Sequence, residues 1–201
     1  MNSANESPGK TAVERATSLL AWLENAGGHG YIGEPVSQLE HALQCAAAAD
    51  RARAPEEAVL AALFHDVGHL RGAGRPDMDG LGVVDHEVIG AHLLLETGCS
   101  AEVAHLVESH VAAKRYLCSR DAAYRSRLSA ASERTLAFQG GPMSTAEARR
   151  FSTLPNLRWI LALRSWDEQA KDPGANPPGL ESYRASLEAH IEANRTRHGT
   201  C

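Results

Sequence analysis

Nowhere does this sequence alternate apolar and polar residues over the length of a strand, which argues against a sheet. No apolar run approaches the ~20 residues that would span a bilayer as a helix, so a membrane role is not expected. Positive charge is in deficit: 20 Lys and Arg stand against 25 Asp and Glu, a net charge of -5, which disfavours a nucleic-acid partner held through its phosphates. Cys45, Cys99, Cys118 and Cys201 form no Cys-x-x-Cys pair, and no secretory-signal pattern is evident. They are expected to be reduced thiols of a cytoplasmic protein. Aromatic residues make up only 5%, while Ala and Leu abound, which favours helices.

With 201 residues there is room for one domain with a substantial core and little for two. Residues 1–9 are small and polar and are expected to fray, leaving residues 10–201 as a single domain. No internal repeat is present. A monomer is compatible with these patterns, which do not themselves set the oligomeric state.

The apolar spacing predicts helices in succession. Thr11 to Asn25 carries a stripe through Val13, Ala16, Leu19, Leu20 and Leu23, stopped by Gly27 and Gly28. Ser37 to Glu40 reads as a capping box, opening a helix to about Asp50 with His41 in its first turn. Pro55, Glu56 and Glu57 suit the start of a buried helix reaching Leu70. Further helices are expected over Asp85 to Glu96, from the Ser100 cap to about Ala113, over Ser132 to Phe138, after the Ser144–Glu147 capping box, over Asn156 to Lys171 and over Leu180 to Asn194. Asp121 to Arg127 reads as a short helix or turn. The fold class is all-α, a bundle of medium-length helices.

Ten histidines are many for this length. His65, Asp66 and His69 close the buried helix, with His65 and His69 one turn apart. Taken with His41, His86, His110 and Asp167, the His65-Asp66 pair offers four imidazoles and two carboxylates from five helices as ligands. A bridging Asp66 would let His41, His65 and Asp167 serve one metal and His86 and His110 another, each keeping open positions. Imidazole and carboxylate without thiolate suit iron, manganese or zinc better than copper. Lys114 lies one turn beyond His110, and Arg164 one turn before Asp167, so each of two helices pairs a metal ligand with a cation. That arrangement fits a dianion beside the metals.

Plainer readings compete. Asp167 and Arg164 suit a surface i,i+3 pair. Lys114 suits a helix C-terminus, Ser132 a helix cap, Tyr31 a packed loop tyrosine and Glu34, before Pro35, a solvated turn. His86 could simply open a helix. His92, His105, His190 and His198 are expected to be surface or packing residues; His105, five residues before His110, should face elsewhere.

The order His, His-Asp, His, His, Asp resembles the HD-domain superfamily of metal-dependent phosphohydrolases, with doubled ligands like its di-iron members. More specifically, Tyr31-Ile32-Gly33-Glu34, Gln38-Leu39-Glu40-His41, Leu43-Gln44-Cys45-Ala46, His65-Asp66-Val67-Gly68-His69, the run from His110 to Leu117, Leu128-Ser129, Gln139-Gly140-Gly141-Pro142-Met143 and Arg164-Ser165-Trp166-Asp167 resemble the HD-domain mixed-valent di-iron oxygenases of organophosphonate breakdown, the PhnZ- and TmpB-like group.

The resemblance implies an HD-domain bundle binding two irons in a mixed-valent Fe(II)/Fe(III) state, with O2 as cosubstrate. One iron is expected on His41, His65, Asp66 and Asp167, and the other on the bridging Asp66, His86 and His110. Tyr31 matches the tyrosine that fills the second iron's vacancy until substrate displaces it. Glu34 matches the glutamate that moves with it and meets the substrate's amino end. His69, Lys114, Ser132 and Arg164 match positions holding the phosphonate oxygens, Ser129 standing close to Ser132 in the same motif. Hydrogen abstraction from the carbon bearing phosphorus would then lead to C–P cleavage, giving phosphate and glycine, or glycine betaine where the amine is a trimethylammonium. The pattern Gly33-Glu34-Pro35-Val36 leans to the trimethylammonium, for which Tyr31 and Tyr116 are candidate aromatic partners. The alternatives are an HD-type phosphohydrolase of a phosphomonoester or nucleotide, using metal-bound hydroxide, and a non-catalytic ligand-sensing module.

Overall fold

The computed structural model describes residues 9–25, 30–31, 33–71 and 74–198. Among these there is no strand, only the isolated bridges Gly30–Ser37 and Asp77–Val83. The α-helices are α1 (Ala12–Asn25), α2 (Gln38–Arg51), α3 (Glu56–Phe64), α4 (His86–Glu96), α5 (Ala101–Arg120), α6 (Ala122–Ser126), α7 (Ala130–Phe138), α8 (Thr145–Phe151), α9 (Leu157–Gln169) and α10 (Arg184–His198). Short 3-10 helices occupy Val67–Arg71 and Leu180–Tyr183. Gly27, Gly28, the expected frayed tail at residues 1–8 and Cys201 lie outside the described residues.

The bundle is organised around α3. Every residue from Ala58 to Phe64 is buried, as befits a helix apolar all round. Helices α2, α5 and α9 pack against it. Leu60 and Phe64 meet a core that includes Leu106 and Val107 of α5 and Ile160 and Leu163 of α9. Helices α1 and α10 close another side, and α4 packs on α5 and on the first 3-10 helix. Because α2, α5 and α9 flank α3, residues from all of them converge where α3 ends.

Ser37, Ser100 and Ser144 cap α2, α5 and α8, and at Ser37 and Ser144 the reciprocal bond from the third-residue glutamate is present. Several boundaries differ from expectation, the last helix among them, which opens as a 3-10 turn at Leu180–Tyr183 and runs on to His198. Helix α3 stops at Phe64 rather than Leu70, because His65 and Asp66 turn the chain into the tighter 3-10 helix. Gly68 requires that turn: a Cβ there would overlap the carbonyl oxygen of His86. Helix α5 runs on to Arg120 instead of ending near Ala113, there being no Gly or Pro to stop it. Helix α7 begins at Ala130 because Ser129, not Ser132, is its cap, accepting from Ser132 N at 3.1 Å. Helix α9 ends at Gln169, two residues before Lys171.

Cys45, Cys99 and Cys118 are buried free thiols, and burial pushes the Cys99 thiol up to about 12. No helix among the described residues is long and apolar enough to cross a membrane. His92 is exposed and His105 half-buried. His190 is a packing residue: its Nε2 accepts from Ser100 N at 3.0 Å and its Nδ1 faces Glu56 Oε1 at 3.2 Å. The side chain of His198 is outside what the structure describes.

Candidate active site

At the end of α3 the structure brings together His41 of α2, His65 and Asp66 of the turn, His86 at the start of α4, His110 of α5 and Asp167 of α9. Four imidazoles form two facing pairs. His41 Nε2 and His65 Nε2 are 3.1 Å apart, and His86 Nε2 and His110 Nε2 are 3.2 Å apart. Asp66 lies between the pairs. Its Oδ2 is 3.8 Å from His41 Nε2 and 3.5 Å from His65 Nε2. Its Oδ1 is 3.4 Å from His86 Nε2 and 3.6 Å from His110 Nε2. Asp167 Oδ1 sits 3.4 Å from His41 Nε2 and 4.0 Å from His65 Nε2.

Hydrogen bonding at the far side of these rings decides what they present inward. The Nδ1 of His41 meets Ala170 O at 2.8 Å, that of His65 meets Ala62 O at 2.9 Å and that of His110 meets Val107 O at 2.7 Å. A carbonyl only accepts, so these Nδ1 atoms carry protons and each ring turns its Nε2 toward that of its partner. Two Nε2 atoms at such a distance need a proton or a metal ion between them. His41, His65 and Asp66 form one group with converging ligand atoms, and Asp66, His86 and His110 another. The donor set therefore fits two metal ions sharing one carboxylate, in the nitrogen-and-oxygen chemistry of iron, manganese or zinc. His86 Nδ1 is buried with only Glu87 Oε2 near it, at 3.5 Å.

Charge is balanced within the cage. Burial opposes ionisation of Asp66, but His65, His86 and His69 outweigh it and hold the carboxyl well below the usual range. Burial likewise opposes ionisation of Asp167, and there the Arg164 guanidinium outweighs it, helped by His41 and His65. Burial, then the neighbouring His86 and His65, push His110 well below an ordinary imidazole, keeping the ring neutral.

His69 is built the other way round. Its ring stacks on His86 with centroids 3.9 Å apart, yet Val83 N donates to its Nδ1 at 3.0 Å. The proton is therefore on Nε2, and the neutral ring is a hydrogen-bond donor rather than a metal ligand. Burial, followed by His86, pushes its pKa down to about 3.

Beside the cage lies a cavity of about 50 Å³. Tyr31, Glu34, His69, Lys114, Ser132 and Arg164 all line it, together with Asp66, His86, His110 and Asp167. Lys114 is buried, not a surface helix-end cation: its Nζ donates to Thr135 Oγ1 at 2.9 Å and to Ser132 O at 3.3 Å. Burial, then Arg164, lower its pKa to about 7. Arg164 and Asp167 are likewise not a surface pair, being 4% and 3% exposed and joined at 2.5 Å from Nη1 to Oδ2. The guanidinium also donates from Nε to Tyr124 Oη at 2.9 Å and turns Nη2 to the Glu168 carboxylate. Its first task is thus to hold Asp167.

Tyr31 stacks on His41 with centroids 4.0 Å apart and planes 12° from parallel. Burial, then Asp66 and Asp167, push its phenol well above the ordinary value, so it stays protonated. Tyr31 and Glu34 share one tight loop, Glu34 N bonding to Tyr31 O at 2.9 Å and Tyr31 N to Val36 O at 2.8 Å. Gly33, at φ +74°, lets that loop lie against Ala131 of α7. Tyr116 is elsewhere: it packs on Phe151 with centroids 5.0 Å apart, beside the core, and does not line the cavity.

Lys171, Tyr124, Thr135 and Glu168 were not anticipated. The spacing rule that selects Lys114 and Arg164 also selects Lys171, four residues after Asp167. Tyr124 lies 40 residues from Arg164 in sequence, and no local pattern signals their bond.

A helical bundle whose central buried helix ends in a His-Asp pair, inside a cage of imidazoles and carboxylates, defines a metal-binding helical domain. The chain belongs to the HD-domain family, which it matches over residues 37–139. It is 39% identical over 185 residues, 91% of each chain, to the hydroxymethylphosphonate dioxygenase of Gimesia maris. It is 41% identical over 170 residues, 84% of this chain and 86% of the relative, to the 1-hydroxy-2-(trimethylamino)ethylphosphonate dioxygenase (glycine-betaine-forming) of Leisingera caerulea. An uncharacterized protein of Acanthamoeba polyphaga mimivirus is 34% identical over 174 residues, 86% of this chain and 80% of that one.

Proposed function

We propose that this chain is a mixed-valent di-iron oxygenase that uses O2 to cleave the C–P bond of a 1-hydroxy-2-(trimethylammonio or amino)ethylphosphonate, releasing phosphate and glycine betaine or glycine. The observation that carries the reading is a shared wall. A cavity lined by Lys114, Arg164 and His69 abuts a two-pocket imidazole cage straddled by Asp66. Two of the relatives are named for dioxygenase action on hydroxylated phosphonates, which supports the same chemistry here.

In this reading His41, His65, Asp66 and Asp167 hold one iron, and Asp66, His86 and His110 the other. When bound, the iron pair supplies the redox chemistry with O2. The protein's own groups bind and orient. Lys114, His69 and Ser132 hold the phosphonate oxygens, with Arg164 adding charge while it anchors Asp167. Charge-assisted bonds in a water-poor cavity fix the C–P bond next to the cage. Tyr31, stacked on His41 against the cage, is the group that gives way as substrate arrives, and Glu34 shares its loop. The reaction balances as one hydroxyphosphonate and one O2 giving one carboxylic acid and one phosphate.

The test is paired oxygen uptake and phosphate release by iron-loaded protein with each hydroxyphosphonate. Equal amounts of O2 consumed and phosphate released are expected, with a mixed-valent di-iron signal that changes when substrate is added. Undiminished phosphate release without O2 would instead assign an HD-type phosphohydrolase, and binding without any product a sensor module.

A further inference from the structure

Lys171 has no part in the roles above, yet it is among the most constrained cations in the molecule. It follows α9, and the backbone around it is clamped to α2. Ala170 O accepts from His41 Nδ1, Asp172 N donates to Gln44 Oε1 at 3.1 Å, and Gln44 Nε2 donates to Asp172 O at 2.9 Å. From that fixed base its Nζ donates to three oxygens, Glu34 Oε1 at 2.8 Å, Ser129 Oγ at 3.3 Å and Ser132 Oγ at 3.4 Å, with the Glu168 carboxylate farther off at 3.9 Å. An ammonium has three N–H groups, so its donors are fully used. The side chains of Lys171 and Glu34 are only 14% and 9% exposed.

We infer that Lys171 is a specificity-determining residue: an internal counter-ion of Glu34 that weighs against substrates with a cationic tail. The inference deepens the phosphonate-oxygenase reading and rests on it. The cavity's carboxylates are unequal. Asp66 and Asp167 face imidazoles, whereas Glu34 faces Lys171 on the loop side. A trimethylammonium group has no N–H; it gains only from charge and from aromatic faces. To use the charge of Glu34 it must come close to a second cation that already neutralises that carboxylate. It must also displace a buried hydrogen bond that it cannot replace, leaving polar groups unpaired. A hydroxymethylphosphonate has no such tail and brings no second cation to Glu34. The substrates named for the two relatives differ in that tail, so Lys171 should weigh against the one and not the other.

The experiment compares wild type, Lys171→Met and Lys171→Arg as iron-loaded full-length protein. Both hydroxymethylphosphonate and 1-hydroxy-2-(trimethylammonio)ethylphosphonate are measured by kcat/KM from phosphate release and by anaerobic calorimetric Kd, where no turnover occurs. Lys171→Met is expected to raise the ratio of trimethylammonio to hydroxymethyl substrate by about tenfold in both measures, the size of one lost buried charge contact. Lys171→Arg should keep the wild-type ratio. In a Glu34→Gln background, Lys171→Met should no longer move the ratio. Equal weakening of both substrates in Lys171→Met, or an unchanged ratio, overturns the inference and makes Lys171 a general anion or loop contact. Should wild type release phosphate from neither substrate, the oxygenase reading fails, and the anaerobic Kd ratio still decides the role of Lys171.

Discussion

The amide of Val83 donates to His69 Nδ1 at 3.0 Å, and that single bond separates His69 from every other imidazole at the site. His41, His65 and His110 donate from Nδ1 to carbonyls and turn Nε2 inward. His69 keeps its proton on Nε2. It should therefore act on the anion and not on the metals. His69→Ala is expected to retain full metal content while weakening inorganic phosphate and phosphonate binding by about tenfold to a hundredfold, the range for one hydrogen bond to a charged group. Metal analysis together with calorimetry checks this, and loss of metal in His69→Ala would return the ring to the ligand set.

Asp66 places one oxygen toward each imidazole pair. Asp66→Ala should therefore cost both metal ions, whereas His110→Ala should spare the ion on the His41 and His65 side. Metal-to-protein ratios after dialysis distinguish the two outcomes. Equal losses in the two variants would mean that a metal does not need the shared carboxylate to hold the pair together.

Burial holds the Lys114 pKa near about 7 in the folded chain, against about 10.4 for a lysine in water. Between those values the unfolded chain binds a proton that the folded chain has released. Folding stability of the metal-free protein should then rise with pH across that window on account of Lys114. Lys114→Met should remove this slope, as followed by urea unfolding at pH 7 and pH 9. An anion entering the cavity should reverse the release. Phosphate binding above pH 7 is expected to take up a proton, which calorimetry in buffers of different ionisation enthalpy will register.

Gly68 meets the carbonyl of His86 so closely that a methyl group has no room. Gly68→Ala should force the 3-10 helix away from α4 and lower stability by about 2–4 kcal/mol, in the range of the more severe single substitutions. It should also cost affinity for the metal on the His86 side more than for its neighbour. Thermal unfolding and metal titration of Gly68→Ala test both parts, and a variant as stable as wild type would rule out the close approach.

The helical class, the capping serines Ser37, Ser100 and Ser144, and the candidate ligands His41, His65, Asp66, His86, His110 and Asp167 were legible in the sequence. Each leaves a local trace: a period of apolar residues, a serine at the head of such a period (at Ser37 and Ser144 three residues before a glutamate), or a histidine or aspartate set beside an acid or a cation. What a residue does once several helices meet has no local trace. The cap at Ser129 is a local bond to Ser132 N, but only the packing of the helices decided that Arg164 is spent largely on Asp167, Tyr124 and Glu168 and that Tyr116 belongs beside the core. Tautomers belong to the same category, because a carbonyl at Ala170 or an amide at Val83 comes from another element of the chain. Side-chain type and periodicity set which groups are available to the site; long-range backbone placement sets which proton, charge or lone pair each of them turns inward.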